Sequence, residues 1–344
     1  MKKALIYDPY LDGLGGGERY TTSFAQCLLK NNWQVDVSWD DKTILEKIKE
    51  RFQIDLHEAR IIDNAFTRLT HVIERILVTQ EYDFTFFLSD GSIPLTFGKK
   101  NILHFQVPFT NIRLSKFDKW KLVKFQHIIC NSQFTKQYID KTYGVISEII
   151  YPPVNLISLT NNKKEKMILS VGRFHPLKKQ EILIKTFKKF NELKGLKLVL
   201  VGGVMPADKE YLDSLYELAK GHNIEFQVGI DYQKLCDLYN KALIYWHATG
   251  FGEEKPENME HFGISTVEAM SAGCVPIVYR AGGQTEIITN GETGYLWETE
   301  LELIKKTTEI VENKQKRDRI SSQAVKRSQD FSVEKFCQKC ATYF

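Results

Sequence analysis

Short apolar runs alternate with segments of helical period from one end of the chain to the other. Runs at 4–7, 35–38, 84–88, 101–104, 127–130 and 148–151, then at 167–171, 197–201, 224–227, 244–248 and 275–278, are apolar on both faces, the pattern of strands buried in a parallel sheet. Segments such as 180–194 and 211–221 carry the spacing of crossover helices. Two doubly wound α/β domains are predicted. Pro152 and Pro153 end the strand at 148–151, and the polar run 161–166 precedes the next strand, so the boundary and hinge are expected at 151–154. That gives domains over 1–154 and 163–330, with a short amphipathic helix in 331–344.

At 344 residues the chain exceeds the usual size of one core, in keeping with two domains. Its 43% hydrophobic and 26% charged residues are ordinary for a globular protein. The net charge of +4 argues against a dedicated nucleic-acid binder, whose balance is far more basic. Cysteines at 27, 130, 236, 274, 337 and 340 lack the density of a disulfide framework, and no secretory segment precedes them, so a reducing cytoplasm is expected. Cys337 and Cys340 have the spacing of half a zinc site without a second ligand pair, and read as two small residues on one helical turn. No run approaches the roughly 18 apolar residues that span a bilayer, so membrane contact is expected only at the periphery.

The stretch EHFGISTVE at 260–268 carries the most chemistry. Ser265 and Glu268 match a capping box, which places Phe262, Gly263 and Ile264 just before the first helical turn with their amides aimed outward. That is a favourable seat for a phosphate. Glu260 and Glu268 could then reach a sugar and a ribose; as an isolated pair they would be a loop acid and a cap. In VGRFHPLKK at 171–179, at a predicted strand's carboxyl end, the Arg173 fork and the Lys178 point charge can grip a diphosphate, with a solvated basic loop as the plain alternative. DGLGGGER at 12–19 follows the first strand and opens a helix, where glycines let backbone approach a ligand. Gly13, Gly15 and Asp36 partly mimic a dinucleotide fingerprint, but Glu18 replaces its last glycine and no P-loop ending follows. His104 ends a strand, where a lone histidine is more often structural than catalytic. Between Lys99 and Lys124, seven basic residues and Asp118 interleave with Leu114, Phe117, Trp120 and Val123. This reads either as a solvated face over a buried stripe or as attachment of 111–125 to an anionic membrane.

The segment 260–268, continued by SAGCVPIV at 271–278 and AGGQTEI at 281–287, resembles the E-x7-E signature of the retaining, family-4 glycosyltransferases, the glycosyl transferases group 1. The resemblance is strongest over 244–294 and weakest over 42–82. It implies the GT-B fold: α/β, two Rossmann-like domains facing across a cleft, with the C-terminal helix crossing back to the acceptor-side first domain. It further implies that Glu260 contacts the donor sugar, the amides of Phe262, Gly263 and Ile264 its diphosphate, and Glu268 the ribose, with His261 also at the donor. Gly15 and Gly16 are similar to the family's N-terminal glycine loop, which approaches the diphosphate. Arg173 and Lys178 resemble its diphosphate-binding pair, Lys179 standing where glycine is usual, and His104 matches a histidine near the reacting sugar.

The implied activity is transfer of a hexose, of mannose or glucose type, from a nucleoside diphosphate sugar to a hydroxyl of a glycan or lipid-linked acceptor. Retention, no cofactor and no metal go with it, and no Asp-x-Asp motif is present. The expected setting is cytoplasmic, or peripheral at the inner membrane face. A NAD-dependent oxidoreductase would rest on Gly13, Gly15 and Asp36 alone, and a non-catalytic sugar-nucleotide-binding protein would keep the fold without the reaction. The insertion at 252–258 reads as a donor-shaping or mobile acidic loop.

Overall fold

The computed structural model describes residues 1–66, 72–160, 163–189, 193 and 195–344. They form two units, Met1–Pro153 with Val333–Phe344, and Val154–Ser332.

The first unit holds strands β1 (Lys3–Tyr7), β2 (Gln34–Ser38), β3 (Arg60–Ile62), β4 (Phe84–Leu88), β5 (Lys100–Phe105), β6 (His127–Cys130) and β7 (Glu148–Ile149). All pair in parallel, in the order β3-β2-β1-β4-β5-β6-β7. Helices α1 (Gly16–Lys30), α2 (Ile44–Phe52), α3 (Val72–Gln80), α4 (Lys116–Leu122) and α5 (Gln133–Tyr143) connect them. Every residue of β4, FTFFL, is buried, because apolar clusters lie on both faces of the sheet. Phe84 and Phe86 join Phe24 and Val35 on one side, while Phe87 joins Leu103 and Phe105 on the other.

The second unit repeats the scheme with β8 (Glu165–Val171), β9 (Lys197–Gly202), β10 (Ile224–Val228), β11 (Ala242–His247), β12 (Val275–Tyr279) and β13 (Tyr295–Trp297). Their order is β10-β9-β8-β11-β12-β13, again parallel. Helices α6 (Gln180–Lys189), α7 (Lys209–Ala219), α8 (Tyr232–Lys241), α9 (Ile264–Ser271), α10 (Gln284–Ile287), α11 (Glu300–Glu312) and α12 (Lys314–Ser328) complete it. In both sheets the order reverses beside the first strand, between β1 and β4 and between β8 and β11. Ligands of open α/β sheets bind outside the carboxyl ends of strands at such a switch point.

After the second unit the chain returns to the first as α13 (Val333–Ala341). Phe336, Cys340 and Tyr343 enter the core beside Tyr20 and Phe24, and Lys100 donates to the Tyr343 carbonyl at 2.8 Å. Cys337 is joined to Cys27 of α1 by a disulfide spanning 310 residues of sequence. The sequence reading missed this link, since local cysteine spacing says nothing about partners so distant.

Two strands, β3 and β13, also escaped the sequence reading, each being only three residues long at a sheet edge. Part of the expected helix 180–194 and of the polar run 161–166 lies outside the described residues. No described helix is long and apolar enough to cross a membrane.

Candidate active site

At the switch point of the second sheet, β8 ends at Val171 and runs into a short 3-10 turn, Pro176–Lys178, started by the His175 ring accepting from the Leu177 amide at 3.1 Å. The turn stops at Lys179, whose φ of +56° is left-handed, which explains why glycine suits this place. The twist sends the two lysines apart. Lys178 Nζ donates to Glu260 Oε2 at 2.8 Å, whereas Lys179 Nζ pairs with Glu253 at 2.5 Å. Arg173 is exposed and its guanidinium makes no ion pair among the described residues, while Gln180 Nε2 fixes its carbonyl at 2.8 Å. A fork-shaped cation is thus left open to solvent on the same loop as Lys178.

Glu260 sits in the loop between β11 and α9. Gly282 and Gly283 hold its backbone: the Gly283 amide donates to the Glu260 carbonyl at 2.8 Å, and a Cβ at Gly282 would lie 1.9 Å from that oxygen. Burial alone would raise the Glu260 carboxyl. The Lys178 ammonium and the His247 imidazole overcome burial and hold it well below the usual carboxylate range. His247 ends β11, its Nε2 lying 3.1 Å from Glu260 Oε2.

The capping-box expectation fails. Helix α9 begins at Ile264, with Gly263 as N-cap at φ +125° and no side-chain cap. Ser265 therefore lies inside the first turn, and its hydroxyl accepts from Tyr245 at 2.8 Å. Glu268 is one turn further in, only 6% exposed, and accepts from the Tyr239 hydroxyl at 3.1 Å. The first amides of α9, having no side-chain cap, face outward at the positive end of the helix dipole. The His261 ring is turned away to the Glu257 carbonyl at 3.1 Å, and burial lowers its pKa. The 252–258 insertion is tied down through Glu253, which pairs with Lys179 and accepts from Asn258 at 2.8 Å.

In the first unit, Gly15 is the N-cap of α1, and its amide donates to Glu18 Oε2 at 2.5 Å. Glu18 fills the space that a dinucleotide fingerprint leaves to glycine. Asp36 is buried and saturated: Arg60 grips it through two bonds of 2.8 Å and Tyr82 donates to it at 2.8 Å. It is not available to a ribose, and the oxidoreductase alternative loses its acidic residue. His104 is fully buried, stacked on Tyr20 with centroids 3.8 Å apart, and its Nδ1 lies 3.1 Å from the Ile129 carbonyl. Burial lowers its pKa to about 3, so the ring is neutral, and its Nε2 has no partner. His104 thus ends β5 as a buried neutral ring whose Nε2 is left unpaired among the described residues.

The expected buried stripe of the basic segment is also overturned. Phe117, Trp120 and Val123 are exposed at 57%, 44% and 80%, and α4 buries Leu122 instead. Phe117 and Trp120 stack on each other at 5.4 Å, with Lys121 over the first ring and Lys124 over the second.

Residues missed from sequence are His247, Thr249, Tyr239, Gln284 and Glu253. His247 was within reach, since it closes the predicted strand 244–248 just as His104 closes another.

Comparison with solved structures places the fold. A glycosyltransferase from Rickettsia africae ESF-5 matches with TM-score 0.78 at 17% identity, covering 99% of this chain and 97% of that one. Anabaena Alr3699/HepE, solved with UDP and glucose, matches with TM-score 0.74 at 19% identity, covering 99% of each chain. The architecture is thus that of the GT-B glycosyltransferases. The glycosyl transferases group 1 family model matches residues 155–327, and the chain belongs to that family. Among curated proteins, GDP-Man:Man(3)GlcNAc(2)-PP-Dol alpha-1,2-mannosyltransferase of Dictyostelium discoideum is 29% identical over 241 residues, 63% of this chain and 46% of that one. The Mus musculus protein of the same name is 32% identical over 197 residues, 50% of this chain and 38% of that one. The chain spans less than half the length of these two relatives.

Proposed function

We propose that the protein is a retaining hexosyltransferase that moves mannose from GDP-mannose to a hydroxyl of a lipid-linked glycan. The family membership supports the reaction class, and the names of the relatives support donor and acceptor. The observation that carries the reading is the Lys178–Glu260 pair at the switch point, with the open Arg173 on the same loop as Lys178 and the start of α9, free of a side-chain cap, following Glu260.

In this reading the donor diphosphate lies against the first amides of α9, with Arg173 and Lys178 on its oxygens. The bond from the anomeric carbon to the diphosphate breaks, and negative charge develops where those donors point. Losing one such donor typically costs about 10²–10³ in rate. The acceptor oxygen bonds to the anomeric carbon on the face the diphosphate leaves, and its proton passes to a departing diphosphate oxygen. No step uses a metal. Glu260 orients the sugar, and Glu268 serves the ribose by exchanging its bond from Tyr239.

The exposed Phe117, Trp120 and Val123, set among Lys116, Lys119 and Lys124, favour peripheral attachment to an anionic membrane, where a lipid-linked acceptor would reside. The test is thermal stabilisation by GDP, UDP, ADP, dTDP and NAD, followed by transfer from the matching sugar nucleotide. A ligand at 100 times its Kd adds roughly 2.7 kcal/mol. Stabilisation by GDP with turnover abolished in Glu260→Ala and Arg173→Ala is expected; a shift with NAD alone overturns the reading.

A further inference from the structure

His247 lies under Glu260 and is 4% exposed. Its Nδ1 stands 3.4 Å from Gln284 Nε2, and its Nε2 stands 3.1 Å from Glu260 Oε2 and 3.2 Å from Thr249 Oγ1. The Gln284 amide nitrogen can only donate, so Nδ1 accepts and the ring proton sits on Nε2, facing the carboxylate. Flipping the amide would put the proton on Nδ1 and turn the Nε2 lone pair toward Glu260, a repulsive contact. Burial, partly opposed by Glu260, lowers the pKa of this ring and keeps it neutral.

Each of these groups is itself held. Gln284 is fully buried against Gly263, where an added Cβ would come within 2.8 Å of its amide nitrogen. Trp297 Nε1 donates to the His247 carbonyl at 3.2 Å. On Glu260, both Lys178 and His247 meet the same oxygen, Oε2. Among the described residues no hydrogen bond falls on Oε1.

We propose that His247, oriented by Gln284, is the positioning residue that locks Glu260 Oε2 and so presents Oε1 to a hydroxyl of the donor sugar. The inference rests on the donor-site reading above. The lysine would be drawn to an incoming diphosphate; the imidazole cannot follow it, and it keeps the carboxylate in place. Misplacing a substrate-orienting group by about 1 Å can cost 10²-fold in rate.

The test compares His247→Leu with His247→Gln, whose amide nitrogen falls near the position of Nε2. For His247→Leu we expect kcat for sugar transfer to fall about 100-fold, with GDP affinity unchanged because the nucleotide does not touch Glu260. His247→Gln should recover most of the loss. Unaltered kcat in His247→Leu, or equal kcat in the two variants at equal thermal stability, overturns the inference. Nitrogen-15 NMR of the unsubstituted protein gives an independent reading: a neutral ring protonated on Nε2 is expected, and a ring protonated on Nδ1 overturns it. Failure of the donor-site reading looks different, since the unsubstituted protein would then transfer no sugar from any nucleoside diphosphate hexose.

Discussion

Lys178 and Glu260, 82 residues apart in sequence, meet at 2.8 Å with side chains 30% and 18% exposed. The pair joins the loop after β8 to the loop after β11, which are neighbouring strands at the switch point. Each loop brings one charge, and neither could be left alone at this depth without cost. The neighbouring Lys179 instead pairs with Glu253. Lys178→Ala is therefore expected to lower turnover by about 10²–10³. Lys179→Gly, which suits the left-handed φ, should leave turnover near that of the unsubstituted protein and change stability by no more than about 1 kcal/mol. Steady-state kinetics of both variants decide the matter, and the opposite ranking would assign the diphosphate to Lys179.

Gly263 caps α9 at φ +125°, and an added Cβ would meet Gln284 Nε2 at 2.8 Å. A non-glycine residue in such a conformation carries about 1–3 kcal/mol of strain. Gly263→Ala should therefore displace Gln284 and reorient the first amides of α9. The expected result is a lower melting temperature and weaker GDP binding by calorimetry. Unchanged GDP affinity would mean that these amides do not hold the phosphate.

Much of the scaffold was legible because a strand covered on both faces must be apolar throughout, and the run 84–88 states this directly. The three-residue edge strands β3 and β13 carry too few positions for a pattern. Within the site, Lys178 and Glu260 could each be marked from their neighbours in sequence, but their contact depends on the β8–β11 pairing, which no local spacing encodes. The start of α9 was misread because Ser265 and Glu268 fit a capping box, while the helix begins earlier, at Ile264, after a glycine N-cap that has no side chain to offer. The disulfide between Cys27 and Cys337 joins segments 310 residues apart, for which the sequence gives no register.

Phe117 and Trp120 on α4 and Val123 at its end stand out where the sequence pattern would bury them, and a hollow of about 460 Å³ is lined by Val123 and the 91% exposed Ile146. Lysines near an anionic surface contribute about 1 kcal/mol each, a contribution weakened by salt. Vesicles containing phosphatidylserine should retain the protein at low salt, and neutral vesicles should not. Trp120→Ala combined with Lys116→Ala and Lys119→Ala should release it without changing the melting temperature. Equal retention by neutral vesicles, or none by anionic ones, would remove the membrane from the account.

Asp8, just past the carboxyl end of β1, is 1% exposed; Oδ1 accepts from the Tyr10 amide at 2.9 Å, and among the described residues no well-formed hydrogen bond reaches Oδ2, the Thr21 hydroxyl nearby offering only weak support. Burial, with the Glu18 charge adding to it, raises this carboxyl to about 7. In the unfolded chain it titrates near 3.9. Between those values the folded protein binds a proton that the unfolded chain has lost, so stability falls as pH rises from about 4 and levels off above 7. Holding the carboxyl at about 7 instead of near 3.9 corresponds to a penalty on the order of 4 kcal/mol at pH 8. Asp8→Asn keeps the shape without the charge, so its melting temperature should exceed that of the unsubstituted protein at pH 8 and match it near pH 4. Measured as the difference between the two proteins, the result is free of the other carboxylates that titrate in the same range. A difference that stays constant across this range would mean that Asp8 is ionised in the fold.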